Sequence, residues 1–246
     1  MRVTRVHVPG PMAAGGEIML PQQAGEHLTR VLRLEPGAAF TVFDGLGGEY
    51  AAELGERNGK QFRARVVRHV PVERESPVHI TLLQGVARGE RMDLIVQKAT
   101  ELGVTRIVPV LTERSVVKVD EKQRARKQEH WRAIAISACE QCGRNRIPEI
   151  PEPCGLGDAL AALPADATRC LLAADGASPL ASLQRQAGNQ IVLLIGPEGG
   201  LADNERRLAR AQNFVTYRLG PRILRTETAG LAALATLQAV LGDLNA

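Results

Sequence analysis

The chain has 246 residues, 44% hydrophobic and 3% aromatic, with a formal net charge of +4 from 31 Lys and Arg against 27 Asp and Glu. This length fits one large or two modest domains with an aliphatic core, and the slight basic excess permits a phosphate-rich partner. No apolar run reaches the roughly 20 residues of a membrane span, no signal peptide is visible, and four cysteines do not make a disulfide framework, so we expect a cytoplasmic protein.

Residues 1–72 are predicted to form a small β-rich domain. The segments AAFTVFDG (38–45), GEYAAEL (48–54) and KQFRARVVRHV (60–70) are strand-like, and Asn58-Gly59 predicts a tight turn before the last of them. One helix, GEHLTRVLRL (25–34), ends before a Pro-Gly pair. The Pro-bounded, charged stretch PVERESP (71–77) is predicted to be a linker to the next domain.

Residues 73–246 alternate between strand-like and helical segments. The predicted strands are 78–87, 104–112, 169–175, 191–196 and 214–220, and the predicted helices are 91–103, 121–143, 179–188, 204–212 and 229–241. This alternation predicts an α/β domain with a parallel sheet covered by helices. The unbroken apolar run IVLLI is typical of a strand buried on both faces.

The segment IVLLIGPEGGLADNE (191–205) is an apolar strand that opens into a Gly-Pro-Glu-Gly-Gly loop just before a helix. At the carboxyl end of a parallel strand, such a loop lies where open α/β sheets bind ligands. It lacks the Lys and Ser/Thr of a P-loop, and no G-x-G-x-x-G follows a first strand, so nucleotide hydrolysis and Rossmann-type redox chemistry lose support. An ordinary glycine-rich connection remains the alternative for this motif alone.

A second loop of the same kind, LGPRILRTETAG (219–230), precedes a helix that is apolar on all sides and therefore predicted to be buried. Thr226 or Thr228 can cap this helix, and Glu227 complements its dipole. Arg222 and Arg225 lie near the positive end of the dipole, where cations are disfavoured, which indicates an anionic or polar partner. We expect the two loops to form adjacent walls of one pocket.

Two basic clusters complete the set of candidate sites. CEQCGRNR (139–146) places arginines and an asparagine after a C-x-x-C pair, and the helix of the small domain carries histidine and arginine on one predicted face. Either cluster could bind RNA, or either could be a solvated basic surface, and a genome rich in G and C would also favour arginine. The C-x-x-C pair has no second pair or histidine at zinc-ligand spacing, so we expect no metal.

ELGVTRIVPVLTERSVV (101–117), CEQCGRN (139–145), LLIGPEGGLADNE (193–205) and LGPRILRTETAGLAAL (219–234), in this order, resemble the bacterial RsmE family, whose enzymes methylate N3 of a uridine in 16S ribosomal RNA. The resemblance extends to HLTRVLRL and FDGLGGEY in the small domain. It implies a SPOUT-type methyltransferase with a trefoil knot in its C-terminal domain, a PUA-like RNA-binding domain, S-adenosylmethionine as cofactor, and a homodimer.

The same resemblance implies roles for individual residues. The cofactor would lie against Leu172, Gly196, Pro197, Glu198, Gly199, Gly200, Leu219, Gly220, Ile223, Leu224, Thr226 and Ala229. Beyond the resemblance, the chemistry of N3 methylation indicates Arg225 as the catalytic group, which stabilises negative charge on the uracil, with Arg144, Asn145 and Glu198 holding the nucleotide. Glu198 and water both remain open as acceptors of the N3 proton. From the basic clusters and the second loop, we expect the RNA to contact His27, Arg30, Arg33, Arg144, Asn145 and Arg222.

Two other functions remain open at this point. One is a non-catalytic RNA-binding or assembly factor that has kept the fold, although binding alone would not need two intact ligand loops. The other is a SPOUT enzyme that methylates the ribose 2′-oxygen. The methylated atom in the product RNA separates these from a uridine-N3 methyltransferase.

Overall fold

The structure is a computed structural model and describes residues 4–57, 59, 61–117, 119–183 and 189–245. The chain forms two compact units. The first contains Met1–Glu75 and Cys139–Ile147, and the second contains Ser76–Ala138 and Pro148–Ala246. The first unit thus takes in a stretch, 139–147, that the sequence placed in the second domain.

The first unit is built on a five-stranded sheet with the order β1-β3-β4-β5-β2. Its strands are β1 (Arg5–His7), β2 (Glu17–Leu20), β3 (Ala39–Phe43), β4 (Glu49–Leu54) and β5 (Phe62–Val70). Strands β1 and β3 run parallel, and the other neighbours run antiparallel. Phe40, Val42, Phe62 and Leu28 fill its core, which confirms a small β-rich domain. Asn58, half of the predicted turn, lies outside the described residues.

The helical segment of this unit differs from the prediction. Helix α1 (Gln22–Glu26) passes into a π-helical stretch (His27–Val31) and ends before residue 34. Arg33 then adopts φ +54°, and the Leu34 N–H donates to the Leu28 carbonyl at 3.0 Å, a chain reversal that closes the helix. Arg30 and Arg33 therefore do not share one helical face, as their spacing had predicted.

The stretch 71–77 is not a free linker, because its charged side chains are bound within the first unit. Glu73 accepts a hydrogen bond from the Gly48 N–H at 2.8 Å, and Arg74 pairs with Glu49 at 3.1 Å. Glu75 binds the guanidinium of Arg144. The boundary between the two units lies inside this stretch, as the linker prediction expects, but residues far apart in sequence supply partners for its charges.

The second unit contains a seven-stranded, wholly parallel sheet with the order β10-β12-β9-β11-β6-β7-β8. Its strands are β6 (His79–Gly85), β7 (Arg106–Leu111), β8 (Cys154–Gly155), β9 (Thr168–Leu172), β10 (Ser178–Pro179), β11 (Gln190–Ile195) and β12 (Val215–Arg218). Its helices are α2 (Glu90–Glu101), α3 (Glu121–Cys142, the end of which belongs to the first unit), α4 (Leu156–Ala161), α5 (Asp203–Ala211) and α6 (Thr226–Val240). The parallel α/β prediction is confirmed.

The centre of this sheet is its most buried part. Every residue from Ile191 to Ile195 in β11 is buried, as the continuous apolar run predicted. The predicted helix 179–188 is represented by a 3-10 turn (Leu180–Ser182), and residues 184–188 lie outside the described part of the chain. Among the described residues, no helix is both long and apolar enough to cross a membrane.

Candidate active site

A cavity of about 690 Å³ lies at the carboxyl ends of strands β9, β11 and β12. Parallel strands all end at one edge of a sheet, so the loops that follow them converge there and leave a crevice. The two glycine-containing loops predicted from sequence both line this cavity. Their strands are not direct neighbours, because β9 lies between β11 and β12 and contributes a third wall. The loops themselves meet where Thr226 binds the Gly196 carbonyl.

The cavity wall includes most of the residues predicted to bind a cofactor. These are Leu172, Gly196, Pro197, Glu198, Gly200, Leu219, Gly220, Ile223, Leu224, Thr226 and Ala229. Gly199 is not among the lining residues. Arg225 and Arg222 also line the cavity, so one catalytic and one RNA-binding candidate lie beside the predicted cofactor loops.

The Gly-Pro-Glu-Gly-Gly loop is a tight turn pressed against the end of β6. The Gly200 N–H donates to the Pro197 carbonyl at 2.8 Å, and Gly200 has φ +67°, a conformation that favours glycine. A Cβ on Gly85, the last residue of β6, would lie 2.5 Å from Pro197 N and Cδ. The loop can therefore take this position only because residue 85 has no side chain.

Thr226 fastens this loop to helix α6 and does not cap the helix. Its hydroxyl donates to the Gly196 carbonyl at 2.7 Å and accepts from Gln84 Nε2 at 2.9 Å, and all of these groups are deep in the unit. The N-cap residue is Arg225, without a side-chain cap, and Thr228 is exposed. The capping prediction was wrong because the buried Gly196 carbonyl takes the hydroxyl that could have served the helix.

Glu198 is held as a carboxylate by groups at the start of helix α2. Its Oε1 accepts hydrogen bonds from the Arg88 N–H and from Arg91 Nη1, both at 3.0 Å. Burial alone would raise the pKa of Glu198, but these two hydrogen bonds and the charge of Arg91 lower that pKa below its ordinary value. Glu198 is thus charged at neutral pH and is a weak proton acceptor.

A second ion pair lies on the same cavity wall. Arg206 Nη2 is 2.6 Å from both carboxylate oxygens of Asp175, in the loop that follows β9. The hydrogen bond from Arg206 is the main reason why the pKa of Asp175 is lowered. The Arg206–Asp175 and Arg91–Glu198 pairs thus leave each of these two cavity carboxylates paired with a guanidinium.

Arg144 and Asn145 lie in a buried polar cluster of the first unit. Arg144 is 4% exposed and donates two hydrogen bonds to Glu75, from Nε to Oε1 at 3.1 Å and from Nη2 to Oε2 at 2.5 Å. Asn145 is fully buried, accepts from Arg5 at 2.6 Å and donates to the Val72 carbonyl at 2.7 Å. In this arrangement both side chains bind protein groups, and RNA could reach them only after these contacts break.

The other RNA-binding candidates of the first unit lie on its surface. His27, Arg30 and Arg33 are all exposed, and Arg30 makes a distant ion pair with Glu26 at 3.9 Å. Such an exposed pair contributes little to stability, so these three side chains are available to a ligand.

The cysteines of the C-x-x-C motif are free thiols. Cys139 is buried, which raises the pKa of its thiol to about 12, and its Sγ contacts the Arg146 carbonyl at 3.6 Å. No group of three or more His, Cys, Asp and Glu side chains that could hold a metal ion occurs in the described part of the chain.

Four charged residues of the cavity were not predicted: Arg91, Arg114, Asp175 and Arg206. Asp175 and Arg91 follow the strands β9 and β6, and Arg114 follows β7, so the rule that strand ends form the crevice could have found them. Arg206 could not be found in this way because it lies inside helix α5.

Comparison with known proteins agrees with the two-part organisation. A family model described as an RNA methyltransferase domain matches residues 74–238, and one described as an RNA methyltransferase PUA domain matches residues 20–67. The chain is 32% identical to ribosomal RNA small subunit methyltransferase E of Bacillus subtilis, over 86% of this chain and 85% of that protein. The protein of the same name from Synechocystis is 36% identical, with coverages of 87% and 70%.

Solved structures are similar over almost the whole chain. Ribosomal RNA small subunit methyltransferase E from Neisseria gonorrhoeae, solved with S-adenosyl methionine, gives a TM-score of 0.91 at 37% identity, with coverages of 99% and 100%. A methyltransferase from Legionella pneumophila, in complex with the cofactor SAM, gives a TM-score of 0.91 at 40% identity and the same coverages. The fold, the cavity between the loops and these matches together place the chain in the ribosomal RNA small subunit methyltransferase E family, RsmE, of RNA methyltransferases.

Proposed function

We propose that this protein transfers a methyl group from S-adenosylmethionine to N3 of one uridine in 16S ribosomal RNA. Membership of the family makes the chain a cofactor-dependent methyltransferase of small-subunit ribosomal RNA. The uridine and its N3 atom are the finer part of the proposal and rest on the motifs quoted above. The cavity formed by the loops after β9, β11 and β12 is the single observation that carries the proposal.

The cavity fits S-adenosylmethionine in size and in the chemistry of its walls. A volume of about 690 Å³ lies in the range of small-molecule sites. Leu171, Leu172, Ile195 and Leu201 give it an apolar side for an adenine ring, and the glycines let backbone groups reach the polar parts of a ligand. When bound, this cofactor supplies a methyl group on a sulfonium, which is already a good leaving group.

The chain's own residues then have to position the nucleotide and favour the anionic form of the base. N3 of uridine carries a proton that must leave before N3 can take the methyl group. Arg225, which is exposed and lines the cavity, carries a guanidinium that can stabilise negative charge on the uracil oxygens. We assign this role to Arg225 as the catalytic residue.

The contacts of Glu198 argue that it does not accept this proton. Its pKa is lowered, and its carboxylate already binds Arg88 and Arg91. A general base works best with a pKa near the working pH. We therefore propose that solvent water accepts the proton and that Glu198 fixes the Gly-Pro-Glu-Gly-Gly loop.

RNA binding by the first unit is assigned to its exposed side chains His27, Arg30 and Arg33. Arg144 and Asn145 were predicted to hold the nucleotide themselves. Because their polar groups bind Glu75, Arg5 and the Val72 carbonyl, we propose that they act indirectly, by fixing the segment 139–147 within the first unit.

We further propose a homodimer. Helix α6 buries Ala233, Leu234 and Leu237, but leaves a second stripe only partly covered in the single chain. That stripe contains Thr228, Leu231, Ala232, Ala235 and Ala239, spaced three and four residues apart. A second subunit would cover it. The trefoil knot also stays a prediction.

Methyl transfer to small ribosomal subunits tests the proposal directly. Subunits from cells lacking the enzyme would be incubated with the protein and methyl-labelled S-adenosylmethionine, and their RNA digested to nucleosides. We expect the label in 3-methyluridine. Label in a 2′-O-methylated nucleoside would show that the ribose oxygen, and not N3, is the methylated atom. A protein that binds RNA but neither binds the cofactor nor transfers methyl groups would be the non-catalytic alternative.

A further inference from the structure

The five arginines that line the active-site cavity fall into two sets by their ion pairing. Arg91 is 3.0 Å from Glu198, and Arg206 is 2.6 Å from Asp175, so these two are neutralised within the cavity wall. Arg114, Arg222 and Arg225 are exposed, and the described residues offer them no ion pair and no side-chain hydrogen bond. The cavity opening therefore carries uncompensated positive charge.

Arg114 lies in a turn whose backbone is fixed by hydrogen bonds. The Ser115 N–H donates to the Thr112 carbonyl at 3.1 Å, and the Glu113 N–H donates to the carboxylate of Glu205 at 2.9 Å. Glu205 is 9% exposed, and its second oxygen accepts from the Ala202 N–H at 2.8 Å. A buried carboxylate thus fixes the backbone beside Arg114, while the guanidinium of Arg114 has no partner among the residues that the structure describes.

Arg114 and Arg222 line the cavity from two different loops. Arg114 packs on the loop after β11, where a Cβ on Gly199 would lie 2.9 Å from its Cβ. Arg222 lies on the loop after β12. Strands β11 and β12 are separated by β9, and two steps of about 4.8 Å make about 10 Å across the sheet edge. A base can enter between two cations so placed.

We propose that Arg114 and Arg222 form a phosphate clamp, which binds the RNA backbone on the two sides of the nucleotide that enters the cavity. A guanidinium matches the oxygens of a phosphate with paired hydrogen bonds, and an exposed one loses little in forming them. N3 belongs to the Watson–Crick edge of uracil, so the bound segment must be unpaired. The clamp leaves Arg225, which follows Arg222 in the same cavity-lining loop, to act on the base.

The clamp rests on the proposed function, because it assigns the RNA-binding part of the same site. It adds Arg114, which no motif indicated, and it gives Arg222 a defined chemical group to bind. It also explains why, within the described ranges, these two arginines lack the carboxylate partners that Arg91 and Arg206 have.

The salt dependence of RNA binding tests the clamp. The full-length protein and an Arg114→Gln/Arg222→Gln variant would be titrated into a labelled short oligouridylate at several salt concentrations. Each phosphate contact with a single strand contributes about 0.7 to the slope of log K against log salt, so the variant should lose about 1.4. An Arg126→Gln/Arg132→Gln variant, which removes two exposed arginines outside the cavity, is the matched control and should keep the slope.

Affinity for S-adenosylmethionine, measured by calorimetry without RNA, separates this proposal from the proposed function. We expect the clamp variant to bind the cofactor within about twofold of the unmodified protein, a difference below about 0.4 kcal/mol. An unchanged slope in the clamp variant, or an equal loss in the control, would overturn the clamp. Failure of the unmodified protein to bind the cofactor would instead refute the proposed methyltransferase function. A smaller salt slope of RNA binding in the clamp variant would still support the clamp in that case.

Discussion

At the scale of single residues, the site depends on which charges are already paired. Glu198 and Asp175 are each held by an arginine, and the pKa of each carboxyl is lowered. Arg225 has no such partner in the described part of the chain. A charge that the protein has left unpaired at a cavity opening is the one that a ligand can use.

Replacing Arg225 should therefore damage the reaction more than the binding of the cofactor. We expect Arg225→Ala to lower kcat by about 100-fold or more, the usual cost of losing a donor that stabilises a developing anion. The affinity for S-adenosylmethionine should change by less than about threefold, since Arg225 is exposed. Steady-state kinetics and calorimetry measure the two quantities. Equal losses in both would make Arg225 a cofactor-binding residue.

Glu198 should behave in the opposite way to a general base. Its lowered pKa keeps it charged from pH 6 to pH 9, so its titration cannot shape the rate in that range. We expect Glu198→Gln to lower kcat by less than about tenfold and to keep the shape of the pH–rate profile, whereas loss of a general base costs about 100- to 10,000-fold. A larger loss, together with a vanished limb of the profile, would return Glu198 to the role of proton acceptor.

At the scale of secondary-structure elements, the cavity depends on close backbone packing between strand ends. The end of β6 touches the Gly-Pro-Glu-Gly-Gly loop at Gly85, and Thr226 ties the same loop to the start of α6. The sequence revealed the longer elements, because a hydrophobic period repeats along them. The short strands β1, β2, β8 and β10 and the six-residue helix α4 were missed because their own sequences show little or no repeat.

The close approach at Gly85 makes a specific prediction. Gly85→Ala would place a methyl group 2.5 Å from Pro197 N and Cδ, so the loop must move. We expect a loss of about 1–3 kcal/mol in the free energy of unfolding, as in other overpacked cores, and a weaker affinity for S-adenosylmethionine. Denaturant unfolding and calorimetry measure these effects.

Gly157→Ala is the matched control. Gly157 lies in helix α4 with nothing within 4 Å of an added Cβ. Alanine there should be neutral or stabilising by up to about 1 kcal/mol, and cofactor affinity should not change. If Gly85→Ala behaved like this control, the packing at Gly85 would not position the loop.

At the scale of the whole molecule, the main feature is the stripe of helix α6 that stays partly exposed to solvent in the single chain. Its opposite face is fixed within the second unit, since buried Gln238 donates to the Leu102 carbonyl at 2.8 Å and accepts from Ser76 at 2.7 Å. The helix is therefore anchored on one side and open on the other. This arrangement suits the homodimer that we propose.

The dimer can be tested with one charge on that stripe. We expect the protein to sediment as a dimer at micromolar concentration, and Ala235→Glu to shift it towards the monomer, because an unpaired charge at the centre of an apolar interface is costly. Ala211→Glu, at an exposed position at the end of α5, is the control and should leave the dimer intact. A monomeric unmodified protein, or equal behaviour of the two variants, would contradict the interface.

The sequence by itself determined the class of fold, the long strands and helices, and the two loops that line the cavity. These follow from hydrophobic period and from glycine and proline, which act over a few neighbouring residues. Only the tertiary structure decided which charged and polar side chains are buried or paired within the protein. It buried Arg144 and Asn145 in the first unit, paired Arg91 with Glu198, and left Arg114 beside Gly199 with no ion pair to any described residue. Ion pairs and burial depend on residues that are distant in the chain, and their spacing along the sequence does not record which of them meet.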